Sequence, residues 1–163
     1  MSKTFWGFLA IGLIAVAIAV GVTWESTKGA HLELEGRILH VRTLAVNPKA
    51  TLVVVDFRES NPSDIPFVLK DVQMKLEGVK GDPPGHMVSK ADMKTVFEYM
   101  KILGPQFNPV FGTGDQIGPR KTADLMVAAR FEIPESEVDA RSAVHLYFSD
   151  VNRAEMDLVE KRN

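Results

Sequence analysis

Residues 50–78, ATLVVVDFRESNPSDIPFVLKDVQMKLEG, decide the fold. Leu52, Val53, Val54 and Val55 follow one another near the start, as in a strand covered on both faces. Asn61-Pro62 then ends that strand. Asn can hydrogen-bond the turning backbone, and Pro cannot donate to a ladder. From Phe67 a second strand begins, along which Val72, Met74 and Leu76 share one face.

Upstream, Leu32 and Leu34 alternate with Glu33 and Glu35, and RILHVRTLAV (37–46) follows Gly36. The apolar phase slips around Gly36, which predicts a bulge or bend there. Asn47-Pro48 marks a turn, and GVKGDPPG (78–85) marks another. Ser89 with Asp92 reads as a capping box that opens a helix. Met93, Val96, Phe97, Met100 and Leu103 form one stripe along it, and Gly104-Pro105 stops it. GPQFNPVFGTGDQIGPRK (104–121) holds four glycines and three prolines, a loop long enough to suggest a function. TADLMVAARFEI (122–133) predicts a strand, and PESEVDARSA (134–143) a short acidic turn or helix. Residues 144–148 and 154–159 predict a closing hairpin around SDVNR. The pattern as a whole is mainly β: a sandwich of about seven strands with one inserted helix, over residues 32–163, the insertion being 89–121.

In front of this domain stands FWGFLAIGLIAVAIAVGVTW (5–24), twenty residues without charge or proline. At about 1.5 Å per residue they match the roughly 30 Å of a bilayer's hydrocarbon core. Their apolar side chains favour insertion by about 3–6 kcal/mol. Trp6 and Trp24 stand near the two ends, where indole rings prefer the interface. Ala17 and Gly21, and Ala15 and Ala19, are small residues at i, i+4 spacing on which another membrane helix could pack, although an apolar helix often carries such residues by composition alone. Lys3 is the one basic side chain ahead of the run. It predicts a cytoplasmic N-terminal stub (residues 1–24 with the helix), a short spacer at 25–31, and a periplasmic or otherwise exported domain on a bacterial inner membrane. A cleaved signal ending near Ala17-Ile18-Ala19 is the competing expectation, and it exports the same domain.

Composition narrows the function classes. The chain has 163 residues, a net charge of −2 and no cysteine. It has no basic run, which argues against a nucleic-acid face. Disulfides, thiolate chemistry and cysteine lipidation are ruled out by the missing residue type.

The order of features resembles the type 2 late-embryogenesis-abundant domain, also called the water-stress and hypersensitive-response domain. The resemblance rests on LVVVDFRESNPSDIPFVLKDVQMKLEG (52–78), on GDQIGPRKTADLMVAARFEIP (114–134) and on the terminal hairpin. Its sharp landmark is Asn61-Pro62. It implies an immunoglobulin-like sandwich, often behind a single N-terminal transmembrane helix, with a role in stress protection or membrane-proximal interaction and no catalytic site. The segment 89–121 departs from the pattern, which generally has only a short connection there.

No catalytic constellation is evident. His31, His40, His86 and His145 lack the paired spacing of a metal site, so no metal and no cofactor are expected. Ser149-Asp150 near His145 has the residue types of a triad but no nucleophile elbow. Gly112, Gly114 and Gly118 miss the dinucleotide fingerprint by one residue. What remains is aromatic: Tyr99 on the helix and Phe107 and Phe111 on the loop, types that anchor protein interfaces or simply tuck a loop onto its domain. The expectation is therefore a non-enzymatic accessory or scaffold subunit of a membrane protein assembly, touching the bilayer through 5–24 and other subunits through the insertion. Two alternatives are a stress-protective protein and a ligand binder or hydrolase using the 104–121 loop, the latter requiring two of His86, His145, Asp115 and Asp150 to converge.

Overall fold

The computed structural model describes residues 12–14, 16–21, 34–152 and 154–162. Residues 12–14 and 16–21 are helical and exposed. Among the described residues no helix is long and apolar enough to cross a membrane. Much of the expected span, including Trp6, Ala15 and Trp24, lies outside the described residues.

Among the described residues from 34 onward, eight strands and two short helices follow in order: β1 (Glu35–Asn47), β2 (Ala50–Ser60), β3 (Phe67–Glu77), β4 (His86–Met87), α1 (Lys90–Tyr99), β5 (Gln116–Ile117), β6 (Thr122–Phe131), α2 (Glu135–Asp139), β7 (Ala143–Asp150) and β8 (Glu155–Lys161). They form two four-stranded antiparallel sheets, β1-β2-β6-β4 and β5-β3-β7-β8. The sheets pack face to face as a β-sandwich.

Side-chain alternation builds the core. Val53, Val55 and Phe57 of β2 and Val127 and Ala129 of β6 point inward, to meet Leu69, Met74, Leu146 and Phe148 of the other sheet. The odd-numbered apolar phase at Phe67 and Leu69 passes to the even-numbered phase at Val72, Met74 and Leu76 because Lys70 is an extra residue in the β3–β7 register. β1 shows the same device. Its register slips between Ile38 and His40, so Ile38 and Val41 both pack on the inner core while Leu44 packs on the opposite side.

Gly36 has a different role from the bend expected there. It pairs with Glu59 inside the continuous strand β1. A Cβ at that position would come within 2.8 Å of the Arg58 carbonyl oxygen and 3.0 Å of Leu158. Close approach of neighbouring chain therefore demands glycine here, and the bulge falls three residues later, at Leu39.

The run Leu52–Val55 is buried on both sides because the insertion covers the outer face of the first sheet. Leu52 and Val54 of β2 and Met126 and Ala128 of β6 form a second apolar cluster with Met93 of α1 and Leu103. Ser89 caps α1 as expected, its hydroxyl accepting the Asp92 amide at 3.2 Å and donating to the Asp92 carboxylate at 2.7 Å. After Tyr99 the chain narrows to a 3-10 turn, Lys101–Leu103, which ends at Gly104 with φ +77°. No L residue adopts that conformation cheaply.

Candidate interaction surface

The insertion turns its other side to solvent. Tyr99, Ile102 and Phe107 are 80%, 83% and 63% exposed, more than any other large apolar side chain from residue 34 onward. They lie within nine consecutive residues of chain, 99–107. Single exposed apolar residues are ordinary, and here three of them fall on one segment.

A polar clamp fixes this segment. Asp56 lies on the outer face of β2, fully buried, and pairs with the Arg42 guanidinium of β1 at 2.7 Å. The same guanidinium donates to the carbonyls of Leu103 at 2.8 Å and Pro105 at 3.1 Å. It stands 5.5 Å from the Phe97 ring centre and 5.1 Å from that of Phe107, within cation–π range. The Asn108 side-chain amide donates to the second Asp56 oxygen at 2.8 Å. One buried carboxylate thereby ties down the chain from Leu103 to Asn108. The bulge at Leu39 makes this possible, since it turns Arg42 to the outer face.

Phe111 corrects the expectation placed on it. It is 3% exposed and belongs to the main core. Its ring lies 6.3 Å from those of both Phe57 and Phe148, and Phe57 lies 5.1 Å from Phe148. Backbone pairing draws it in: the Phe111 amide donates to the Met126 carbonyl at 2.8 Å, beside a bridge from Val110 to Met126. Phe107, four residues earlier, has no such tether to β6 and stays outside.

The landmark Asn61-Pro62 proves to be a hub. Asn61 is fully buried, and its amide nitrogen donates to the carbonyls of Ile65 at 2.8 Å, Ile117 at 3.1 Å and Gly118 at 3.3 Å. Its oxygen accepts from the Ser63 amide and hydroxyl. The loops 61–66 and 118–121 are thus pinned together at the end of the sandwich where β1 begins.

The four polar groups that a hydrolytic site would need stay apart. His145 sits on the outer face of the second sheet, 3.0 Å from Asp157 and 3.3 Å from Glu77. Asp150 accepts from the amides of Val68 and Asn152. Asp115 pairs with Lys90 and accepts from the Gly112 amide. His86 is exposed on β4. No hydrogen bond joins any two of these four. Among the described residues no group of three metal-ligating side chains could hold an ion; His31 lies outside them.

The second sheet carries an open groove of about 500 Å³, lined in part by Asp71, Lys75, Tyr147 and Asp157 and not by His145. Burial opposes charge on His145, but its hydrogen bonds to Asp157 and Glu77 outweigh this and raise its pKa above the usual imidazole value. Tyr147 stacks on the imidazole at 5.7 Å, and Lys75 stands above the Tyr147 ring.

Sequence reading did not single out Glu59. It is 1% exposed, both carboxylate oxygens lack a hydrogen-bond partner, and burial pushes its pKa up to about 8. Its position two residues beyond Phe57 on an inward-facing alternation was the available signal.

In the N-terminal segment, Ala17, Ala19 and Gly21 are helical and exposed. The chain matches no family model and no curated protein. Among solved structures it is similar to a functionally unknown protein from Listeria monocytogenes EGD-e, at 14% identity and a TM-score of 0.40, over 79% of this chain and 72% of that one. A likeness that weak carries no inference about function.

Proposed function

We propose that this protein is a membrane-anchored, non-enzymatic β-sandwich that serves as an accessory or scaffold subunit of a membrane protein assembly. Residues 5–24 hold it in the bilayer of a bacterial inner membrane, with the sandwich outside, and Ala15, Ala17, Ala19 and Gly21 offer that helix a small-residue face for a neighbour. The sandwich is read as immunoglobulin-like, akin to the type 2 late-embryogenesis-abundant domain, with Asn61-Pro62 as its shared landmark.

The observation that carries this reading is the Tyr99, Ile102 and Phe107 surface, exposed yet locked from beneath by Arg42 and Asp56. Rigid aromatic and aliphatic anchors lose little entropy on binding. The ion pair that seats the insertion on the first sheet also fixes where these apolar residues stand.

The test is purification from mild detergent followed by quantitative mass spectrometry, comparing the native chain with a Tyr99→Ala, Ile102→Ala double variant. A membrane protein that accompanies the native chain and falls at least tenfold in the variant, at equal membrane content, is the expected result. Recovery of the protein alone in both samples would refute the proposal.

A further inference from the structure

Each sheet ends in two edge strands, and three of the four edges are blunted. β4 and β5 are two residues long. β1 breaks its register twice, between Ile38 and His40 and between Ala45 and Asn47. Short strands and bulges are how an edge avoids pairing with another chain. β8 is the exception. It pairs with β7 in unbroken register from Glu155 to Lys161, and among the described residues no strand lies beyond it.

The bonds at the two ends of β8 fix which way its backbone points. The Asp150 amide donates to the Ala154 carbonyl, and the Arg162 amide to the Ser142 carbonyl. The even-numbered residues of β8 therefore turn their amides and carbonyls to β7. Glu155, Asp157, Val159 and Lys161 turn theirs the other way, and all four residues are exposed. Charge along this edge runs from acid to base. Glu155 and Asp157 stand at its start and Lys161 at its end. The groove beside the start is acidic too, with Asp71, Glu155 and Asp157 against Lys75 alone. Among the described residues neither Glu155 nor Lys161 has an ion-pair partner.

We infer that β8 pairs antiparallel with β8 of a second copy of this chain, joining two four-stranded sheets into one continuous sheet. A two-fold axis at Leu158 sets Glu155 opposite Lys161 of the second copy, and Lys161 opposite its Glu155. Asp157 then faces Val159 and Met156 faces Glu160, so no like charges meet. The outward amides and carbonyls fall opposite one another, as an antiparallel ladder requires. Other arrangements do worse. An axis at Asp157 sets that carboxylate against its own copy, and one at Val159 shortens the ladder and leaves Glu155 unmatched. In-register parallel pairing places Glu155 beside Glu155. The charges on the edge thus select both the partner and the register. The inference needs neither the membrane anchor nor the Tyr99 surface, which lies over the other sheet and stays free.

The chain has no native cysteine, so Val159→Cys gives the full chain a single thiol. In the paired form the two thiols lie diagonally across the new ladder, their Cβ atoms about 7–8 Å apart. In mild detergent a short bis-maleimide is expected to join them into a covalent dimer. Gln73→Cys, two strands in from the edge and roughly 24 Å from its copy, is expected to give none. Glu155→Lys and Lys161→Glu, each added to the Val159→Cys chain, should cut the dimer yield at least fivefold. Combining the two reversals should restore it, because only pairing between copies reads both ends of the strand together. A Val159→Cys yield no higher than that of Gln73→Cys overturns the inference. So does a yield indifferent to the single reversals, or a double reversal that stays as low as either one.

Discussion

The two sheets present opposite outer faces. The first is roofed by α1 and the loop after it, and a single ion pair, Arg42–Asp56, lies beneath that roof with Asp56 fully buried. The second has no such roof, and the ion pairs of His145 with Glu77 and Asp157 stand on it. Similar charges sit at similar distances on both faces, yet they do different work. Under cover a charge cannot be left without its partner, so the pair dictates where the insertion lies. In the open, water replaces a lost partner at little cost. The covered face thus builds a rigid platform, and the open face remains adjustable.

Glu59 sharpens the comparison most, as a carboxyl with cover and no partner, which burial keeps protonated. Burial raises its folded pKa to about 8, from an ordinary carboxyl value of 4.5. The stability its neutral form contributes is full below pH 4.5 and is lost as pH rises through 8. That slope amounts to about 5 kcal/mol. Glu59→Gln should remove it, so that urea midpoints of the two proteins coincide at pH 4.5 and the variant is the more stable at pH 8. A native chain whose stability stays level across that range would contradict this.

Next in size is the covered pair. Arg42→Ala strands Asp56 under the insertion and should cost about 3–5 kcal/mol in denaturant unfolding. Lys75→Ala on the open face should stay within about 0.5 kcal/mol. Phe111→Ala should cost about 3 kcal/mol by emptying the aromatic core, against under about 1 kcal/mol for Phe107→Ala, which removes a surface cation–π contact. Equal losses at the two phenylalanines would break the distinction between core and platform. Smallest is His145. Its raised pKa means the stability from its charged form is present at low pH and lost as pH climbs through the folded value. His145→Gln should flatten that weak dependence near neutrality, as read by thermal melts from pH 5 to 8.

Much of this was legible in the chain. Continuous valines announced a strand covered on both faces, Ser89 with Asp92 announced the helix cap, and the 93–103 stripe announced its buried side. What stayed hidden was decided by contacts distant in sequence. Nothing local distinguishes Phe107 from Phe111, because the pairing of residues 110 and 111 with Met126 settles which ring goes inside. Arg42 and Asp56 could be matched only once the bulge at Leu39 had turned the arginine outward. Gly36 read as a bend because a missing side chain looks the same whether the chain must turn or a neighbour must come close.

The most direct test of a contact platform on the roofed face is photo-crosslinking in cells from a benzophenone residue placed at Ile102, compared with one at Gln73 on the open face. The account predicts a covalent adduct between position 102 and an integral membrane protein, and none from position 73. Adducts from 73 alone, or from neither position, would contradict it.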